Sequence, residues 1–298
     1  MPRARRLPSL DDDLASAAPP RGLFAGTAFS IRAIVAQREL IRLLIARELK
    51  SRYKDSALGF VWSLLRPLAL LLIYYIAIGR FLGAERAIPE FAIFVFTGLT
   101  AWGLFSEIIS GSTTSIITNS GLVKKVYLPR EIFPIATVGS AIFNFVVQLG
   151  ILVLATIVLL QFPLSLDLLY LPLALATLLL YAFGLGLILS AITVYLRDIQ
   201  HLVEVLILVL FWASPIVYSF EFVHRAVGEG VLEQLYLANP MTIILLGFQK
   251  ALWAAGPDAA FPDDLGLRLG ILLAISALLV WVGQRVFARL EGNFAQEL

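Results

Sequence analysis

Apolar residues fall along this chain in six long runs, and most charged residues gather in the gaps between them. A helix that crosses a membrane needs about 20 mostly apolar residues. Runs of that length occupy about 57–78, 91–115, 132–160, 168–194, 202–220 and 267–287. An even number of crossings puts both termini on one side. A further apolar stretch, 231–254, is broken by Asn239-Pro240 into pieces too short to cross alone. It reads as two half-helices that dip into the outer leaflet and return, covered by protein or by a water-filled cavity. The competing reading, one distorted span, would move the C-terminus to the other side.

Ahead of the first run, Arg38 to Lys54 contains no Gly or Pro and is rich in helix formers, which predicts a helix. At about 100° per residue, Leu40, Ile41, Leu44, Ile45 and Leu49 share one side, and Glu39, Arg42, Arg47, Lys50 and Lys54 share the other. Leu43 sits among the charges. Glu48 and Arg52 interrupt the apolar arc at a spacing that lets them pair. A basic amphipathic helix directly before an apolar run suits the cytoplasmic membrane interface, its cations toward headgroups or a soluble partner. A plain juxtamembrane flank obeying the positive-inside rule has the same look. Residues 1–35 hold Arg3, Arg5, Arg6, three consecutive aspartates from Asp11 and Pro19-Pro20, and read as a disordered cytoplasmic tail.

Composition agrees with the run pattern: 59% of residues are hydrophobic, 15% are charged, and mean hydropathy is +0.88. Soluble domains average about 45–50% apolar and about 25% charged. The expectation is an all-α integral membrane protein with six transmembrane helices, an N-terminal amphipathic interface helix and a re-entrant helix pair before the last span. Of the 23 Lys and Arg residues, seventeen fall on the side of the termini, five on the other side, and Arg66 within a span. Both termini are therefore expected in the cytoplasm.

Chemistry is sparse. The sequence has no GxxxxGK[ST] loop, no H-E-x-x-H and no G-x-S-x-G, so a catalytic site is not expected and energy for transport must come from elsewhere. Without Cys there are no disulfides or thiolate metal sites, and two isolated histidines do not make a zinc site. The connection 119–134 is more informative. It mixes Leu122, Val123, Val126 and Tyr127 with Lys124 and Lys125, between Gly121 and Pro129, and continues into Arg130 and Glu131. A short helix there with exposed apolar knobs wants a partner groove; a solvated loop would explain the lysines but not the knobs.

Several stretches together carry a resemblance. They are R-E-L-K-S-R-Y-K from Arg47, L-G-F-V-W-S-L-L-R-P-L from Leu58, F-V-F-T-G-L from Phe94 and N-S-G-L-V-K-K-V-Y-L-P-R-E-I from Asn119, with Y-L-R-D-I-Q from Tyr195 and A-N-P-M-T from Ala238. In these the chain closely resembles the permease subunits of ABC type-2 polysaccharide, O-antigen and teichoic-acid exporters. The likeness covers nearly everything after residue 35, which makes 36–298 one transmembrane domain. It implies a homodimer of this chain with two copies of a separate nucleotide-binding ATPase subunit, which would carry the ATP and Mg, and no cofactor on this chain. It also implies a coupling helix at Leu122 to Tyr127 seated on the ATPase, with Pro129, Arg130, Glu131, Arg197 and Asp198 nearby. The implied cargo is a glycan or teichoic acid on a polyprenyl diphosphate lipid, moved across the cytoplasmic membrane between the two copies. Membrane lipids are the other expected partner, and nucleic acid is not one.

A sliding polymer suits an aromatic-lined path, for which Trp62, Tyr74, Trp102, Phe105, Phe211, Trp212 and Tyr218 are candidates; interface anchoring and core packing compete at each. Arg66 and Glu107 lie at similar depths, and a charge within a span costs about 2.5–3.5 kcal/mol unless it meets a cavity or a partner. They are expected either to pair with each other, or to leave Arg66 facing the lipid diphosphate or snorkelling to the inner interface. Glu204 is placed at the interface, and Asn144 with Gln148 reads as interhelical glue. An ABC type-2 exporter of drugs or small lipids is the nearest alternative. An ion-coupled transporter would show an acid relay and an internal repeat, and a membrane enzyme an acid–base or metal cluster; neither is evident.

Overall fold

The computed structural model describes residues 23–53, 61–126, 128–161, 163–253 and 260–298. Tyr127, the start of the first expected span and residues 1–22 lie outside them. The described chain begins with α1 (Leu23–Ala36) and α2 (Arg38–Tyr53). α1 is helical in the part of the expected tail 1–35 that is described, and the part before Leu23 lies outside the described residues. The acidic and Pro-containing features behind that expectation all precede residue 23, whereas 23–36 is mostly apolar. Gln284 Nε2 donates to Ser30 Oγ at 3.0 Å and Arg285 donates to Thr27 Oγ1, which fastens α1 to the last long helix.

Among the described residues, five helices are long and apolar enough to cross a membrane. They are α3 (Val61–Tyr74) with its π-helical continuation to Phe81, α4 (Phe91–Thr118), α6 (Ile132–Val158), α7 (Tyr170–Tyr195) and α12 (Leu265–Leu290). α4 is apolar over most of its surface and sits at the centre, packed against α6 and α7, while α12 lies along α7. Gly184 and Gly283 bring α7 and α12 close: a Cβ at Gly283 would stand 2.6 Å from the Gly184 carbonyl oxygen. α2 lays its predicted apolar stripe on α6, with Leu44 buried and Ile45 over Gly139, and leaves Leu43 exposed among the charges.

The fifth expected span is only partly helical. α8 (Ile199–Trp212) has 14 residues, about 21 Å of helix against a hydrocarbon core of about 30 Å. It stops ahead of Pro215, which lacks an N–H and disfavours helix in the residue before it. Residues 213–219 continue as irregular chain, with 214–217 buried, and Gly98 of α4 leaves room for the backbone of Ile216. Backbone at such depth needs its carbonyls satisfied by protein. Gln249 Nε2 donates to the Pro215 oxygen at 2.5 Å, Asn239 Nδ2 to the Ala213 oxygen at 3.3 Å, and the Tyr218 hydroxyl to the Trp212 oxygen at 2.9 Å.

After α9 (Phe220–Val227) come α10 (Val231–Leu237) and α11 (Pro240–Leu252), which meet at 77°. Asn239 accepts from the Met241 amide at 3.1 Å and Pro240 occupies the first helical position, so the break predicted from Asn-Pro is also a helix start. Both outer ends of the pair meet one end of the bundle. Arg268, in the first turn of α12, donates to Gln234 at 2.8 Å, and Trp253 Nε1 donates to the Pro89 oxygen just before α4 at 2.8 Å. Lys250 lies 3.9 Å from Asp167, just before α7. The pair therefore enters and leaves on the same side.

Candidate functional site

Three helices present matching stripes to a shared space. On α3 the stripe is Trp62, Arg66, Leu70 and Tyr74, at steps of four. On α4 it is Leu99, Trp102, Gly103, Ser106, Glu107 and Ser110, a polar and small-residue strip on an otherwise apolar helix. On α8 it is Glu204, Ile207, Leu208, Phe211 and Trp212. Between them lies an open cavity of about 810 Å³, floored by Asn144 and Gln148 of α6 and reached by Arg52 from α2.

The aromatic members touch one another. Tyr74 stacks on Phe211 with centroids 5.9 Å apart, Trp102 meets Phe211 edge-on at 5.6 Å, and Phe211 meets Trp212 at 5.4 Å. The result is a continuous belt from α3 across α8 to α4, with Trp62 half exposed beyond it. Two of the expected path residues do not line this cavity. Phe105 is 1% exposed and stacks on Tyr181 at 6.1 Å, because its position on α4 faces α7 rather than α8. Tyr218 closes the end of α8 and reaches the Tyr236 hydroxyl at 3.5 Å.

The charges are arranged differently from the simplest expectation. Glu107 does not pair with Arg66; it receives Arg52 and, at 2.8 Å, Asn144 Nδ2. Packing of α2 on α6 delivers Arg52 to the α4–α6 groove, where Glu48 holds it at 3.0 Å from one side and Glu107 from the other. Burial alone would lower the Arg52 pKa, and the two carboxylates outweigh it and raise it. Arg66 is exposed at the cavity opening, and among the described residues no acid lies within ion-pairing distance of it. Glu204 stands 3.8 Å from His201 at the near end of α8.

At the end of α4, Asn119 leads into the short helix α5 (Ser120–Lys125). Its apolar knobs are only partly free. Val123 is buried in a cluster with Leu44, Ile116, Phe133 and Phe294, and Leu122 packs at its edge, so the chain supplies its own groove for them. Lys124, Lys125 and Val126 are exposed, as are Arg197 and Asp198 at the same end of the bundle. Pro129 is half-buried, Arg130 lies over the Phe294 ring at 5.7 Å, and Glu131 is buried. Desolvation raises the Glu131 pKa, against the opposing pull of Gln284, Arg130 and Arg285.

Sequence reasoning missed two features here. Arg52 makes the expected intrahelical pair with Glu48, and its position inside the apolar arc of α2 was the signal that it would also meet a second partner on the bundle, Glu107. Phe294, fully buried in α13 (Phe294–Glu297), braces α5 from behind; a single aromatic in a polar terminus was its only trace.

Residues 39–253 match the family model described as "ABC-2 type transporter". The chain is 29% identical over 268 residues to the O-antigen export system permease protein RfbA of Myxococcus xanthus, covering 90% of this chain and 98% of that one. It is 26% identical over 262 residues to the RfbA of Klebsiella pneumoniae, covering 87% and 95%. Against the polysialic acid transport protein KpsM of Escherichia coli it is 26% identical over 196 residues, covering 63% and 73%. The match to the family model takes in α2, the cavity helices, α5 and the bent pair, and with it this chain belongs to the ABC-2 type transporter family.

Proposed function

We propose that this chain is the membrane subunit of an ATP-driven exporter that carries a polysaccharide, or a related polyol-phosphate polymer, across the cytoplasmic membrane on a polyprenyl diphosphate carrier. The observation that carries this reading is the joined aromatic belt of Tyr74, Phe211, Trp102 and Trp212 in an open cavity. Sugar rings offer C–H faces that stack on aromatic planes, and contacts of that kind let a polymer slide. Arg66 at the opening supplies a cation suited to a diphosphate. The names of the relatives, which speak of O-antigen export and polysialic acid transport, support a polymer over a drug or small lipid.

The cavity opens beside exposed apolar faces of α3 and α8, including Leu72, Ile73, Leu208 and Val209. In this reading a second copy covers them and completes a channel wall. ATP and Mg sit on a separate nucleotide-binding subunit, which docks on Lys124, Lys125 and Val126 with Arg197 and Asp198. In this reading both termini are cytoplasmic, which the asymmetry of Lys and Arg supports.

The test is mild-detergent purification from the native host, with mass spectrometry of any soluble chain recovered in equal amount. A P-loop partner is expected, and charge reversal at Lys124 and Lys125 should release it. Purification of the chain alone, with gradient-driven solute uptake and no ATP requirement, would overturn the reading.

A further inference from the structure

Among the described residues, the charges that line the cavity leave no cation in surplus. Arg52 and Arg66 stand there with Glu107 and Glu204. Arg52 is already shared: Glu48 meets it at 3.0 Å from one side and Glu107 from the other, so that cluster keeps a net negative charge. Arg66 on α3 is then matched in number by Glu204, an exposed carboxylate on α8. A second copy of the chain would double both signs and leave the balance as it is.

The other end of the bundle, through which a polymer leaves in the export reading, repeats the pattern. Segments 79–90, 159–169 and 220–268 hold five Lys and Arg against nine Asp and Glu. Four of those five cations have an acid within ion-pairing distance, as Lys250 has Asp167 at 3.9 Å and Arg268 has Asp264 at 2.7 Å.

What the cavity does offer is largely uncharged. Among the described residues neither the Gln148 amide nor the Ser110 hydroxyl has a side-chain hydrogen-bond partner, and both line the cavity. Gly103 of α4 leaves Gln148 uncovered: a Cβ there would lie 3.7 Å from its Oε1. An amide and a hydroxyl both donate and accept, as a sugar hydroxyl does, so they match it whichever way it turns. Beside them runs the aromatic belt.

Pores that pass anions or phosphates are ringed by Arg or Lys. A polymer with a carboxylate or phosphate in every repeat would bring several anions at once past Glu107 and Glu204, with only Arg66 to answer them. A charge held in a membrane without a counter-charge is costly. The carrier diphosphate, by contrast, occurs once per polymer, and one arginine at the opening is enough for it. We propose that the polymer this cavity passes is built of uncharged sugars, bound through their hydroxyls by Gln148 and Ser110 and through their C–H faces by the belt, and that polymers with an acid in each repeat, polyol phosphates among them, are excluded. This rests on the reading of the cavity as the export path.

The first test is made in the native host. Deleting this chain should leave lipid-linked polymer inside the cell, and the accumulated material can be isolated and its repeat assayed for uronate, sialate and phosphate. None beyond the carrier diphosphate is expected. An acid in every repeat would overturn the inference and leave the export reading standing, whereas failure to accumulate any polymer would bring down the export reading and this inference with it. The second test uses the complex with its ATPase in vesicles and the isolated polymer, its hydroxyls acylated to equal extent with anionic succinyl or neutral butyryl groups. ATP-dependent transport of the succinylated form should be about tenfold slower. Glu204→Lys should bring the two rates about fivefold closer, read as their ratio so that a general loss of activity cancels. Equal rates in the parent complex, or a ratio unmoved by Glu204→Lys, would overturn the proposal.

Discussion

α3 and α4 are apolar helices of nearly equal mean hydropathy, yet 78% of the α4 window is buried within the chain and only 6% of the α3 window is. Hydropathy reports that a helix enters the membrane; it does not report what the helix will rest against. The distinction lies in side-chain size. α4 carries Gly98, Gly111, Ser112 and Thr113 where residues 213–219, α6 and α7 come close. α3 instead presents Leu65, Leu68, Leu72 and Ile73 outward. The cavity forms where these two kinds of helix meet.

The comparison can be broken most severely in the centre. Phe105→Ala should destabilise the folded chain by about 3–5 kcal/mol, because the ring fills space between α4 and α7. Leu72→Ala on α3 should stay within about 0.5 kcal/mol in a chain not paired with a second copy; thermal unfolding of the detergent-separated single chain measures both, and equal losses would erase the distinction. Next comes Gly98→Val, where a Cβ already lies 3.2 Å from the Ile216 backbone. A cost of about 1–3 kcal/mol is expected from overpacking, read in the same melts.

At the cavity, Arg66→Ala should cut polymer export about tenfold with little change in melting temperature, since the side chain is exposed and no acid partner among the described residues depends on it. Normal surface polymer in a normally expressed variant would remove Arg66 from the path. The smallest effect is expected at Glu131. Its carboxyl is raised above the ordinary value of 4.5 by burial, so the folded chain carries no penalty there below that pH. Stability is lost as pH rises from the ordinary value through the folded one, and is level beyond it. Glu131→Gln should flatten that slope in a series of melts across pH, and parallel slopes would show that the burial is without energetic consequence.

The spans, the α2 stripe and the Asn239-Pro240 break were legible because each depends on local periodicity or on backbone chemistry that a residue carries with it. The end of α8 was not, since an apolar run through Pro215 reads as one span until the donors of residues 239 and 249 are seen to hold it irregular. Much of the cavity was legible too: Trp62, Arg66, Tyr74, Trp102, Glu107, Phe211 and Trp212 all line it. Of the readings open for Arg66, the pairing with Glu107 is not the one seen, and the reason is geometric. Similar depth in two spans says nothing about which helix stands between them, and α2 reaches that groove from outside the spans.

The irregular segment 213–219 also bears on how the chain is made. Its Ala213 and Pro215 carbonyls are met by Asn239 and Gln249, which leave the ribosome later. At ordinary synthesis rates Gln249 follows residue 213 by about two to seven seconds. During that interval the nascent α8 ends in a stretch whose Ala213 and Pro215 carbonyls lack the side-chain donors that meet them in the finished fold. The outer half of this span is therefore finished after its turn in the chain, when the bent pair arrives to complete it.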